Sequence, residues 1–298
     1  MIVHAHTDLL RMLFTLRGSV VKRIAVRCLM VTLLAALIVL VERHYPAFFY
    51  PVSATPFTLL GLSLSIFMSF RNTACYDRWW EGRKAWGRMI IEVRSFVRES
   101  AVIDDSTQRA RLLRSLCAFA HGLNARLRNE DDLHAATPWL PKDADISAHN
   151  VCDGILRDLG ERCSRLASEG RISEFRYMTL EQRLVGLSEV QATCERIKGT
   201  PLPFPYTLLL HRTIYIFCLL LPFALAEPLG WLAPLFTTIV SYTFLGLDAI
   251  GNELEDPFGR DENDLPTDSL VRLLERDVLS ALGEPLPPLL EPVEHVLS

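Results

Sequence analysis

The segment from residue 56 to residue 98 places the strongest constraint on how this chain can fold. Its first part, from Pro56 to Phe70, is uncharged and mostly apolar, whereas residues 71–98 carry seven basic and three acidic side chains. No Gly-Pro pair or cluster of Ser and Asn separates the two parts, and Pro56 suits the first turn of a helix. The sequence therefore predicts one helix of about 65 Å, which is longer than a bilayer is thick.

The apolar part of this predicted helix is too short to face lipid. A lipid-facing span needs about 20 apolar residues, so a shorter one is more stable when protein shields it or when it lines water. At about 100° per residue, Leu62, Ile66 and Phe70 share one face. Beside this face runs a strip of small residues, Gly61, Ser65 and Ser69. Small side chains let a neighbouring helix approach closely. The pattern predicts a pore constriction, and its alternative is an ordinary packing stripe.

The composition indicates that the chain is partly embedded in a membrane and partly in water. Half of its 298 residues are hydrophobic, yet 22% are charged. The formal net charge of −4 provides no overall basic field, which argues against nucleic acid as a partner. The seven cysteines are odd in number and form no C-x-x-C pair, so we expect reduced thiols and neither a disulfide framework nor a zinc site.

Three further apolar segments, residues 24–41, 206–226 and 229–247, predict membrane spans, so that the chain crosses the bilayer four times with the long helix. Lys and Arg are frequent before the first span and after Phe70, whereas the two predicted outer loops hold only Arg43. The positive-inside rule then places both termini in the cytoplasm of a multi-pass protein of the plasma (inner) membrane.

The ends and loops of these spans carry two further expectations. The basic arm before residue 24, with Arg11 and Arg17, has no small-residue cleavage site and is expected to be a retained cytoplasmic arm. The aromatic residues of loop 42–55 are expected to lie at the membrane interface. The link between the last two spans is predicted at Glu227 and Pro228, and an acidic tail is predicted to begin at Asp248.

Helical periodicity, without any apolar run of spanning length, characterises residues 100–200. It predicts helices over 104–129, 147–168 and 172–198, with 130–146 as a polar, proline-containing connection. Residues 1–98 are expected to form the N-terminal arm, the first span and the long helix, and residues 99–200 a cytosolic helical domain. Residues 201–250 are expected to form the third and fourth spans, and residues 251–298 an acidic cytosolic tail.

Three stretches together resemble the bestrophin family of ion channels. They are RNTACYDRWWEGRKAWG at 71–87, CERIKGTPLPFPYTLLLHR at 194–212 and IGNELEDPFGRDENDLP at 250–266. The resemblance runs from about residue 10 to about residue 280. It implies an all-α membrane protein with four transmembrane helices plus a cytosolic helical domain, assembled as a homopentamer around a central pore. Leu62, Ile66 and Phe70 match the family's hydrophobic neck, and Leu180 lies in the region of its cytosolic aperture.

Charged side chains follow the predicted neck along the same helix. If the helix stays straight, Asp77, Glu81, Lys84 and Arg88 continue on the pore side and would bias the ion content of the vestibule. The alternative is structural: Glu81 with Lys84, and Asp77 with a neighbouring arginine, would form ion pairs between protomers.

An acidic segment after the fourth span could supply hard oxygen ligands for calcium. The candidate ligands are Glu253, Asp256, Asp261, Glu262 and Asp264. The segment does not have the EF-hand spacing, and Arg260 and Asn263 interrupt the unbroken acidic run that forms a calcium clasp in animal bestrophins. The alternative is a solvated linker in which Thr267 or Asp268 caps the helix that runs to Leu282.

Taken together, the sequence predicts an ion channel that passes monovalent ions through a hydrophobic neck, with itself, the ions and the lipid bilayer as partners. The resemblance implies that monovalent cations such as sodium can be the permeant ions, as in some bacterial members of the family, and the acidic pI near 6.1 and the acids below the neck favour a monovalent cation. The alternatives are a chloride or other anion channel, with or without activation by calcium, a secondary transporter and a membrane scaffold. No cofactor is expected to be required, although calcium is possible, and no enzyme motif is present.

Overall fold

The structure, a computed structural model, describes residues 1–2, 18–46, 53–144, 146 and 149–298. Most of the basic arm and the loop aromatics Phe48, Phe49 and Tyr50 lie outside these ranges, so the two expectations placed on them stay predictions. Within the described ranges the chain is helical and its β-type pairing is confined to isolated bridges. The helices are α1 (Val21–His44), α2 (Thr55–Glu99), α3 (Ser106–Leu127), α4 (Asp132–Ala136), α5 (Val151–Ser168), α6 (Glu174–Gly199), α7 (Phe204–Leu229), α8 (Ala233–Glu255) and α9 (Thr267–Leu282).

The long helix predicted from the sequence is present without a break. Helix α2 has 45 residues, so it extends for about 68 Å. Pro56 is its second residue, where the missing N–H removes no intrahelical hydrogen bond. A 3₁₀ turn at Ser100–Val102 follows its last residue.

The chain divides into two compact units. The first, which we call the span unit, consists of Pro201–Glu255 and the described residues up to Trp79. The second, which we call the helical-domain unit, consists of Trp80–Thr200 and Asp256–Ser298 together with Met1 and Ile2. Helix α2 contributes its first half to the span unit and its second half to the helical-domain unit.

In the span unit, helices α1, α7 and α8 pack against one another. Their apolar core also takes in Leu64 and Met68 of α2, next to Ile24, Ile214 and Leu245. Two described stretches are long and apolar enough to cross a membrane, Val21–His44 and Phe204–Glu255. The apolar part of α2 does not meet that test, in agreement with its short length.

Two predicted boundaries in the span unit are wrong. Glu227 and Pro228 belong to α7, and the link to α8 is the 3₁₀ turn Gly230–Leu232. Gly230 has a φ of +49°, which side-chain-bearing residues rarely adopt, so the chain reverses there. Asp248 does not begin a tail either, because α8 continues to Glu255.

In the helical-domain unit, α3 packs against α4, α5, α6 and α9. The three predicted helices are found within a few residues of their expected ends, and residues 147 and 148 lie outside the described part. Their starts are set by side-chain caps: Asp105, Asn150 and Ser173 accept hydrogen bonds from backbone N–H groups of the first turn of α3, α5 and α6. The predicted polar connection contains α4 and a 3₁₀ turn at Thr137–Trp139.

Candidate pore-lining site

The face of α2 that carries the predicted neck is open in the single chain. Leu62, Ile66 and Phe70 are 61%, 49% and 65% exposed. The opposite face is closed, because Leu64, Met68, Arg71 and Cys75 are all at most 2% exposed. Large apolar side chains that their own chain leaves uncovered indicate a further surface in front of them, which can be lipid, another helix or a pore.

The closed face of α2 contains a fully buried arginine, directly after Phe70. The Nη1 atom of Arg71 donates to Oδ1 of Asp248 at 3.1 Å, and its Nη2 atom donates to Oδ1 of Asn252 at 2.6 Å. Nη2 also lies 3.5 Å from Oε2 of Glu255. All three acceptors are on the last turns of α8, so one side chain joins α2 to α8 through charge-assisted hydrogen bonds.

Two neighbours complete this buried cluster. Nδ1 of His211 on α7 lies 3.1 Å from Oδ2 of Asp248. Gly251 allows the close approach of α8, since a Cβ atom there would lie 2.8 Å from Nη1 of Arg71 and 2.6 Å from Oδ1 of Asn72. Sequence reasoning missed the cluster because Asp248 was assigned to a tail, although the pairing of a span-end acid with an arginine at bilayer depth is a recognisable signal.

The four charged residues predicted to follow the neck have different surroundings. Asp77, in the span unit, is exposed. In the helical-domain unit, Glu81 pairs with Arg196 of α6 at 2.8 Å, and Arg88 pairs with Glu92 and lies 3.7 Å from Glu189. Within the chain, Glu81 and Arg88 therefore pair with these residues, and the predicted pairs between protomers stay predictions. Lys84 lies with Glu81 and Arg88 around a surface depression of about 280 Å³.

Leu180 does not occupy the position that its predicted role requires. Its side chain is fully buried in the helical-domain unit, so the assignment of Leu180 to a cytosolic aperture does not fit the structure. The large apolar side chains that α6 leaves exposed are Phe175, Met178 and Val185, at 82%, 58% and 53%.

The acidic candidates for calcium binding are divided between the two units. Glu253, in α8, lies 3.1 Å from Arg23, and Asp256 pairs with Lys198 at 2.9 Å. Asp261 and Asp264 form a turn in which Oδ2 of Asp264 accepts from the Asp261 N–H at 2.8 Å. Among the described residues no group of three or more His, Cys, Asp or Glu side chains is arranged to hold a metal ion.

The helix after this acidic segment runs from Thr267 to Leu282, as expected, but neither predicted cap operates. Asp268 instead pairs with Arg128 and accepts from Asn124 of α3 at 2.6 Å. Burial raises the pKa of Asp264 to about 6, against the smaller opposing effect of the hydrogen bond from Asp261.

Comparisons with known proteins agree with this architecture. The family model for bacterial and fungal bestrophin proteins matches residues 1–280. A voltage-dependent anion channel-forming protein of Mesorhizobium japonicum is 44% identical over 99% of this chain and 96% of its own length. The voltage-dependent anion channel-forming protein YneE of Salmonella typhi is 38% identical over 95% of each chain.

A solved structure extends the agreement to the fold. The crystal structure of a bacterial bestrophin homologue from Klebsiella pneumoniae superposes with a TM-score of 0.84 at 34% identity, covering 88% of this chain and 99% of that one. The family model and the channel-forming relatives indicate an ion-channel protein and not an enzyme. The chain belongs to the bacterial and fungal bestrophin family.

Proposed function

We propose that this protein is a homopentameric plasma-membrane channel that conducts monovalent ions through a neck formed by Leu62, Ile66 and Phe70. The observation that carries the proposal is the open stripe on α2: three large apolar side chains, each about half exposed or more, on the face opposite the closed one. Copies of α2 arranged around an axis would cover these side chains and surround a path for ions. Both termini lie in the cytoplasm in this proposal.

A neck of this kind acts through water exclusion. The three residues span eight helical positions, which corresponds to about 12 Å along the axis. Rings of uncharged, bulky side chains over that length make a hydrated ion lose favourable contacts with water, so they set an energy barrier without selecting strongly for the sign of the charge. Selectivity must then come from charged groups outside the neck.

The first candidate for the permeant ion is a monovalent anion such as chloride. It is favoured by the names of the relatives, which describe anion channel-forming proteins that match nearly the whole chain. It also accords with the intrachain pair between Glu81 and Arg196, which neutralises one of the two acids that the sequence places below the neck. The comparisons do not support the sequence-based preference for sodium.

The second candidate is a monovalent cation, and a single residue favours it. Asp77 is exposed and follows Phe70 by two turns on the open face of α2. A ring of such carboxylates at the end of a neck would attract cations. Asp77→Asn therefore distinguishes the two candidates: it lowers the permeability ratio of cation to anion if the ring is selective, and leaves that ratio unchanged if it is not.

The test is a reversal potential. Purified protein, reconstituted in planar bilayers under a gradient of sodium chloride, should give currents that reverse near the chloride Nernst potential for the first candidate and near the sodium Nernst potential for the second. The same recordings with calcium and with a calcium chelator test whether the acidic segment regulates the channel. Currents absent under every condition would contradict the channel itself.

Stoichiometry needs its own measurement. Native mass spectrometry of the detergent-solubilised protein should give a mass of five chains of 33.7 kDa. A monomer or dimer that nevertheless conducts would contradict the proposed arrangement of α2 around a central axis.

A further inference from the structure

We propose that Arg71 is the positioning residue of the neck: its buried bonds to α8 fix the rotation of α2 about its own axis and thereby decide which side chains face the pore. This inference rests on the proposed function, since it explains how the neck of that channel is held in place. It assigns a role to a side chain that does not itself face the ion path.

Burying the charged guanidinium of Arg71 costs free energy. Arg71 is fully buried, at the depth where α2 leaves its apolar part. A charged guanidinium is stable in such a place only if carboxylates and other acceptors surround it. Here the acceptors are Asp248, Asn252 and Glu255, which lie three to four residues apart along α8 and form one row.

The bonds of Arg71 to α8 restrict the rotation of α2 about its own axis. Neighbouring residues of a helix differ by about 100° in direction, so turning α2 by one position would carry Arg71 out of reach of this row. The same turn would take Phe70 and Ile66 off the open face and bring Met68 towards it. A bond network that holds Arg71 in place therefore also holds the neck in place.

The fit between the two helices is close at Arg71. Gly251 lies on α8 beside the guanidinium, and an added Cβ would meet Nη1 of Arg71 at 2.8 Å. Contacts below 3.0 Å force something to move, and the guanidinium has little free space since it is fully buried. A methyl group at position 251 would thus disturb the Arg71 bonds without removing any charge. His211, which shares Asp248, is a second titratable side chain that contacts this carboxylate.

The experiment reads the orientation of α2 directly. Phe70→Cys reports the open face and Met68→Cys the closed face, through their rates of reaction with a water-soluble methanethiosulfonate reagent in the reconstituted protein. The native cysteines are all buried and give a low background. With Arg71 intact, the reporter at position 70 should react and the reporter at position 68 should be protected.

Adding Arg71→Met keeps an unbranched, flexible side chain but removes the guanidinium and its charge. The expected result is that the reporter at position 68 reacts at least about tenfold faster, because the closed face is no longer held. Adding Gly251→Ala should shift the same reporter in the same direction, and it remains informative if Arg71→Met prevents assembly. Gly246→Ala is the matched control on the same helix, because its Cβ would meet Ile24 at 3.7 Å, an ordinary contact.

The outcomes separate this inference from the proposed function. Thiol modification needs no current, so an unchanged pattern in Arg71→Met and Gly251→Ala overturns the positioning role even if the channel conducts. Faster modification of the cysteine at position 68 in both Arg71→Met and Gly251→Ala, with no change in Gly246→Ala, supports the positioning role. A wild-type protein that never conducts contradicts the channel proposal and leaves the thiol measurement to decide the orientation of α2.

Discussion

Asp264 is a carboxylic acid whose position disfavours its own charge. It is 4% exposed, and its pKa is raised to about 6 chiefly by burial. Because the folded state binds the proton more tightly than the unfolded state, stability falls as the pH rises from about 4 to about 6 and stays low above that range. The effect is at most about 3 kcal/mol.

The substitution Asp264→Asn removes the charge and keeps an oxygen that can accept from the Asp261 N–H. We expect the variant to unfold at a higher temperature than the wild type at about pH 7.5, and the gap to shrink at about pH 5. Thermal unfolding in detergent, followed by circular dichroism, measures both values.

Asp268→Asn is the control with the opposite sign, because its carboxylate is paired with Arg128 and its pKa is lowered by hydrogen bonds from Arg128 and Asn124 that outweigh burial. It should unfold at a lower temperature at neutral pH. If the difference in unfolding temperature between Asp264→Asn and the wild type is no larger at about pH 7.5 than at about pH 5, the raised pKa of Asp264 is contradicted.

At the residue scale, the sequence can predict roles that depend only on the position of a side chain along its own helix. Leu62, Ile66 and Phe70 follow from periodicity on α2 alone, and their exposure in the single chain is what a neck requires. Arg71 could not be recognised in this way, because its acceptors lie 177 to 184 residues further along the chain. Leu180 shows the converse limit: the family resemblance places it in a region of α6 but does not say whether its side chain is exposed or buried.

At the scale of elements, α2 and α6 are joined in the helical-domain unit by a buried carboxylate. Glu92 is 1% exposed; it pairs with Arg88 on its own helix and with Arg183 on α6 at 3.0 Å. Gly186 on α6 makes room for it, because a Cβ there would lie 2.6 Å from the Cδ atom of Glu92. The ion pairs and the close helix contact therefore depend on one glycine.

Replacing Gly186 by Ala should push the Glu92 carboxylate away from Arg183 and destabilise the protein by on the order of 2 kcal/mol, as overpacking of a tight contact does. Apparent melting temperature in detergent measures the effect. Gly199→Ala is the matched control on the same helix, since nothing lies within 4 Å of its added Cβ. Equal melting temperatures for the two variants would show that the contact at Gly186 is not tight.

The sequence predicted which segments are helical more accurately than it predicted where each helix ends. The unbroken α2 follows from the placement of its one proline, Pro56, in the first turn, with no proline between that residue and Glu99. The end of α8 was placed too early because acidic residues from Asp248 onward read as a solvated tail, whereas in the structure Asp248 is 1% exposed beside Arg71. Tertiary pairing therefore overrode a local compositional signal.

At the scale of the whole molecule, the sequence and the comparisons agree on a helical bestrophin-family channel protein. A single chain leaves its neck stripe open, so the function proposed here belongs to the assembly. Neither the number of copies nor the preferred ion is readable from helix patterns, because both depend on surfaces that meet only when copies of the chain come together.

The most direct test of the central claim is the single-channel current of Ile66→Ala beside that of the wild type, with purified protein in planar bilayers. Removing the bulk of the middle ring should widen the neck and favour its hydration, so unitary conductance or open probability should rise at least about twofold. Wild-type currents that Ile66→Ala leaves unchanged would contradict a neck at Leu62, Ile66 and Phe70.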